Sequence, residues 1–258
     1  MKKISYLLLI FCAILICSGC HQDKTLPETT AATVAPSTTF TEETTAPVTA
    51  PVHSPLYIPG LDVEDVILYF NEVCLDAEIV HSGNASLLQR WEEPISYCLY
   101  GSYTEEDIAV LNEFVAWLNT IDGFPGIQEV RNSSDANLNI HFCEQEEMIR
   151  LMGDSFYGMD GAVTFWYDYN VIYDAIICCR TDLSQTLRNS VILEELYNSL
   201  GPIQDTDLRP DSIIYSEYSE PQCLTQIDKL ILTLLYHPEL QPGMHADEVA
   251  TVIRQLYY

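Results

Sequence analysis

Apolar and polar positions between residues 55 and 258 follow helical and strand periods in turn. Residues 63–73 read as a first helix, and residues 95–100 as a strand stopped by Gly101. Thr104, with Asp107 three residues on, opens a second helix whose apolar positions Ile108, Leu111, Val115 and Leu118 recur at helical spacing and which ends before Gly123. Residues 127–130 form a short strand. Residues 138–142 alternate strictly, which predicts a half-buried strand with Asn139 and His141 on its wetter face. Residues 161–169 and 171–180 are two β-rich runs joined through Asn170, a hairpin-like pair. A helix follows, from Asp182-Leu183-Ser184 to Leu200-Gly201, where glycine is placed to end it. Residues 202–222 are irregular; residues 224–236 and 246–257 are the last two helices. This order predicts an α+β fold with one mixed sheet and a helical C-terminal part, built as a single globular domain over residues 55–258.

The pattern changes before residue 55. Lys2 and Lys3 precede an apolar run from Ile4 to Ile16, then Ser18-Gly19-Cys20 and the polar His21-Gln22-Asp23. The run is short for a membrane span, which needs about 20 apolar residues. Ser-Gly-Cys after such a run resembles the bacterial lipobox, with Cys17 where Leu is usual. The resemblance implies a lipoprotein signal peptide over residues 1–20, diacylglycerol on Cys20, and an extracytoplasmic protein anchored to the cell membrane. Residues 21–54, rich in Thr, Pro, Ala and Val, lack any period and read as an extended linker.

Charge narrows the partners. The chain has 258 residues with 11 Lys+Arg against 38 Asp+Glu, a formal net charge of -27. A surface this acidic lacks the basic footprint that nucleic acid demands and repels an anionic lipid face. Beyond residue 20 six cysteines remain, Cys74, Cys98, Cys143, Cys178, Cys179 and Cys223. An even number outside the cytoplasm permits up to three disulfides, although small buried apolar residues explain most of them equally well. Cys178 and Cys179, adjacent in a strand, must face opposite ways.

The helix ending at Leu200-Gly201 carries the functional question. At 100° per residue, Ile192, Leu193, Leu196, Tyr197 and Leu200 fall on one side, with Glu194, Glu195 and Asn198 clustered opposite. By residue chemistry alone that is an amphipathic helix with a wet face. Glu194 to Gly201 also resembles the active-site helix of the zincin metallopeptidases, H-E-x-x-H-x-L-G, with both histidines replaced. In that register Glu194 and Asn198 take the ligand places and Glu195 the general-base place. Gln204, with Asp205 beside it, stands where many zincins carry a third ligand. Ser212-Ile213-Ile214-Tyr215 is similar to the turn beneath the metal, Ile214 taking the methionine place. Together with the stretch from Asp228 through His237-Pro238 to Gly243-Met244, these motifs resemble a group of bacterial lipoproteins sharing domain of unknown function 2927.

That resemblance implies a zincin-like fold whose metal ligands have degenerated, and it makes the strand at residues 138–142 an edge. Carboxylate and carboxamide oxygens are hard donors, poorly matched to zinc and better suited to Ca²⁺ or another hard cation held by Glu194, Asn198, Gln204 and Asp205, or by Asp207. Two adjacent carboxylates in one cleft would raise at least one pKa. His141, on its strand, is a candidate to line the same cleft. The function expected is a binding module, with no cofactor required, for a peptide or cell-envelope ligand lying along the strand at residues 138–142. The alternative is an atypical metal-dependent hydrolase with Glu195 as general base.

Overall fold

The computed structural model describes residues 54–75 and 87–258, all within one compact unit. The leader with Cys20 and the Thr/Pro-rich segment, except Ser54, lie outside the described residues. The fold is α+β: a six-stranded, mostly parallel mixed sheet with six α-helices among the described residues. No helix among those residues is long and apolar enough to cross a membrane.

In chain order the elements are α1 (Val63–Leu75), β1 (Arg90–Trp91), β2 (Ile95–Gly101), α2 (Glu105–Leu118), β3 (Ile127–Glu129), β4 (Leu138–Cys143), α3 (Gln145–Met152), β5 (Gly161–Asp168), β6 (Val171–Arg180), α4 (Gln185–Asn198), α5 (Gln226–Leu235) and α6 (Ala246–Tyr257). The capping box at α2 is present: Thr104 Oγ1 accepts from the Asp107 N–H at 3.1 Å, and Asp107 Oδ2 accepts from the Thr104 N–H at 2.7 Å. Thr225 and Asp228 repeat it at α5. Tyr169 and Asn170 join β5 to β6 with φ of 51° and 64°, the left-handed pair that a tight hairpin requires. The helix α3, unforeseen in the sequence pattern, turns Met148 and Met152 inward and its acids outward.

Strand order is β1-β6-β4-β2-β3, all parallel, and β5 pairs antiparallel with the outer side of β6. This corrects the placement of residues 138–142. β4 is central, bonded to β2 on one side and β6 on the other; β5 is the edge. Alternation cannot tell the two apart, because it reports that the two faces of a strand differ and says nothing about its sides.

One face of the sheet carries Ile95, Tyr97, Leu138, Ile140, Phe142, Ala175, Ile177 and Cys179 into the main core, shared with α1, α2, α4, α5 and α6. The opposite face is covered at Cys143, Cys178 and Ala162 by α3 and Phe156. Cys178 and Cys179 therefore face opposite ways, as adjacent strand residues must. All six cysteines of the domain are free thiols.

Both ends of α4 are tied down. At its N-terminus the buried Arg188 donates from Nε to Asp107 Oδ1 at 2.8 Å, from Nη1 to Thr181 O at 3.1 Å and from Nη2 to Gln185 Oε1 at 2.7 Å. At its C-terminus Trp91 Nε1 donates to Ser199 O at 2.9 Å and the Tyr236 hydroxyl to Leu200 O at 2.8 Å, so two end carbonyls are satisfied without water. Gly201 then turns away at φ 133°; a Cβ there would meet Gln89 O at 2.6 Å.

Burial pushes the Asp107 carboxyl up, but its bonds from the Thr104 N–H and Arg188 outweigh that and hold it below the usual range. Asp107→Ala strands a buried guanidinium and should cost about 3–5 kcal/mol in denaturant unfolding. A loss under about 1 kcal/mol would show that Arg188 does not need this partner.

Candidate functional site

The helix α4 packs against β5 and β6 and is buried nearly all round; Glu195 retains 7% and Asn198 5% of their exposure, while Glu194 is half-buried. This corrects the amphipathic expectation. The polar side of α4 lies under the sheet's outer hairpin instead of facing water.

Gly161, the first residue of β5, makes the arrangement possible. A Cβ at that position would lie 2.3 Å from Val191 Cγ1 and 2.7 Å from Glu195 Oε1, so only glycine lets strand and helix approach this closely. Asp160 precedes it. Asp160, Glu194, Glu195 and Asp205 are near enough for their charges to act on one another. Burial first, then the charges of Asp205 and Asp160, push the Glu194 carboxyl up to about 8. Burial, with Glu194 and Asp205 as further causes, raises Glu195 well above the carboxylate range. Both acids hold their protons at neutral pH.

Asn198 lies one turn beyond Glu194 on the same side of the helix, and its Oδ1 is buried without a hydrogen-bond partner. Gln204 is held through its backbone N–H, 3.4 Å from Val73 O. Asp207 is bound to the Ser216 hydroxyl and exposed, so Asp205 is the aspartate that acts on the glutamates. Among the described residues no three His, Cys, Asp or Glu side chains are grouped as ligands of one metal ion.

His141 lies on the opposite face of the sheet, which removes it from the α4 side. It stacks on Tyr100 with ring centroids 4.4 Å apart, and burial lowers its pKa. The turn at Ser212 serves the core: the Ser212 hydroxyl donates to Asp228 Oδ1 at 2.6 Å and accepts from the Tyr69 hydroxyl at 2.7 Å. Two concavities among the described residues lie elsewhere. One of about 300 Å³ is lined by Ile58, Leu61, Arg209 and Gln226, and one of about 60 Å³ by Phe114, Trp117, Leu224 and Lys229. The acids of α4 are packed beneath a strand, not set on the floor of either.

That strand has an unused side. Asp160 O accepts from the Arg180 N–H at 3.0 Å, and the register pairs Gly161 with Cys179. In an antiparallel ladder, residues 162 and 164 then bond to β6, and the N–H and C=O groups of Gly161, Val163 and Phe165 point away from it. No backbone bond among the described residues takes up those outward groups. Sequence reasoning missed Asp160 and Gly161; their signal was an Asp-Gly pair at the start of a strand, a mark of close backbone approach.

The family model described as "Protein of unknown function (DUF2927)" matches residues 64–255. The chain belongs to that family. No curated protein matches it. The DUF2927 match spans every helix and strand given above except the outermost residues of α1 and α6, so the acid pair and its strand are parts of the family's own domain.

The raised carboxyls predict how stability of the DUF2927 domain follows pH. Unfolded, each glutamate loses its proton near 4.5; folded, Glu194 keeps it to about 8, and burial likewise raises Glu195 well above its ordinary value. Their favourable contribution is complete below pH 4.5 and disappears as pH rises towards 8. Between pH 5 and 8 the Tm should fall by about 5 °C, and Glu195→Gln, which keeps the shape and removes the proton equilibrium, should flatten the fall and raise Tm at pH 8. An unaltered pH slope in that variant would refute the assignment.

Proposed function

We propose that this domain is a binding module of a lipid-anchored, extracytoplasmic protein, and that it holds an extended peptide or cell-envelope fragment along β5 beside the acids of α4. The observation that carries the reading is the outward backbone edge at Gly161, Val163 and Phe165, on the strand that lies over Glu195. An extended chain adding there gains main-chain bonds, and the neighbouring side chains select it. The lipobox-like Ser18-Gly19-Cys20 supports the anchor, which puts the domain in reach of envelope ligands. A parallel sheet with one antiparallel outer strand, followed by a helix ending at Leu200-Gly201, supports a zincin-like scaffold that has lost its imidazoles.

Binding is favoured over hydrolysis on chemical grounds. A carboxyl that keeps its proton at neutral pH donates hydrogen bonds and does not take a proton from water, so Glu195 is no general base as it stands. One observation favours the second reading, a hydrolase on a hard cation: the partnerless Oδ1 of Asn198 is the kind of oxygen that Ca²⁺ takes. Glu194, Asp205 and Gln204 would complete the set, and the cation would have to displace the carboxyl protons. With those protons gone, Glu195 regains the capacity to act as a base.

Proline scanning of β5 separates these readings from a purely structural strand. Val163→Pro removes an outward N–H and leaves the β6 ladder whole; Thr164→Pro breaks the ladder. The first should keep its circular dichroism and lose about tenfold in affinity for a fluorescent N-acetylated Val-Thr-Lys-Val-Thr peptide; the second should unfold. Equal peptide binding by Val163→Pro and the parent protein would sink the edge-binding reading. Peptide cleavage that needs added Ca²⁺ and stops in Glu195→Gln would decide for the hydrolase.

A further inference from the structure

The edge of β5 accounts for a peptide's backbone but leaves the chemistry beneath it unexplained. Beside Gly161 stand Asp160, Glu194, Glu195 and Asp205, and behind Glu194 the 95% buried Asn198 presents a carbonyl oxygen that accepts nothing. Burying an amide oxygen without a donor costs free energy that a folded protein seldom leaves uncompensated. The neighbouring guanidinium, Arg180, is committed elsewhere: it donates to Asp182 Oδ2 at 2.6 Å and touches Asp160 at 3.3 Å, at the rim.

We infer that this cluster is a subsite for a primary ammonium group carried by the bound chain, seated between the Glu194 carboxyl group and Asn198 Oδ1, with Asp205 as a further acceptor. The inference rests on the edge-binding reading for its chain but not for its chemistry.

Three features favour an ammonium over a metal ion. An ammonium offers three N–H donors and no acceptor, which answers Asn198 Oδ1, Asp205 and a Glu194 carboxyl that releases its proton to solvent as the cation enters. It works at hydrogen-bond distances, about 2.8 Å, and does not need the tighter convergence of about 2.4 Å that Ca²⁺ demands. No three acids are grouped as metal ligands among the described residues. Entry is through the exposed part of Glu194, and an alkyl stem is narrow enough to follow it; the broad fork of a guanidinium suits a flat, exposed carboxylate better.

Two measurements on the full-length mature protein test this apart from the peptide reading. In the first, Tm is followed with butylammonium chloride, tetramethylammonium chloride or CaCl₂ at matched ionic strength. Butylammonium alone should raise Tm, by about 2 °C or more at saturating concentration, and the rise should vanish in Glu194→Gln and in Asn198→Ala. If Asn198→Ala does not fold, Glu194→Gln carries the test by itself. No rise with butylammonium, or an equal rise with tetramethylammonium, overturns the inference; a rise with CaCl₂ alone overturns it in favour of a cation site.

In the second, the acetylated Val-Thr-Lys-Val-Thr peptide is compared with its norleucine counterpart and with a lysine-free peptide bearing a free N-terminus. Preference of about tenfold for a charged amine over norleucine is expected, and the two charged peptides show whether side-chain or terminal amines are taken. Equal affinity for lysine and norleucine overturns the subsite and leaves edge binding standing. A butylammonium effect without binding of any peptide overturns edge binding and leaves the subsite.

Discussion

A helix buried along most of its surface must still dispose of its polar residues, and α4 is such a helix. Its apolar stripe enters the main core, while Glu195 is enclosed under β5 and Asn198 is buried one turn beyond Glu194. Removing a carboxylate from water is costly, and the protein meets the cost by keeping both glutamates protonated. The helix cannot slip away from this position. Arg188 and Asp107 clamp its first turn to α2, while Trp91 and Tyr236 satisfy the carbonyls at its last. Gly161 completes the constraint by letting the edge strand close over Glu195. The sheet, the C-terminal helices and the loop to Asp205 are arranged around that one placement.

The same placement is what favours the proposed binding reading over ordinary hydrolytic chemistry. Zinc hydrolysis needs imidazoles one helical turn apart and a carboxylate able to take a proton. In the zincin-like register proposed above, those positions carry the carboxylic acid of Glu194 and the amide of Asn198, and the neighbouring Glu195 is itself protonated. Under the proposed binding reading, such groups select donors and cations through differences in hydrogen bonding. Charge development along a reaction path is a demand they are poorly built to meet.

Much of the fold was legible along the chain because its signals are local. Thr104 with Asp107 announced α2, Ser184 and Gly201 bracketed α4, and Asn170 marked the hairpin. α3 escaped because its apolar positions, Met148 and Met152, are few among charged neighbours. The strand at residues 138–142 was given its correct faces and the wrong neighbours, since pairing partners are settled by contacts far apart in sequence. Glu194, Glu195, Asn198 and Asp205 were singled out by the resemblance to the zincin helix; Asp160 and Gly161 were not, because nothing in the sequence near Glu195 points to a glycine more than thirty residues earlier.

The amino-acid order alone determined which residue types share a side of α4, where that helix starts and stops, and that no pair of histidines stands within it. Those are properties of periodicity and caps, fixed by a few neighbouring residues. Whether the shared side met water or protein depended on a hairpin folding over it, on a glycine permitting contact at Glu195, and on acids drawn together from three separate stretches of chain. Solvation is a property of the assembled structure, so the protonation of Glu194 and Glu195, and with it the chemistry this domain can perform, was decided only there.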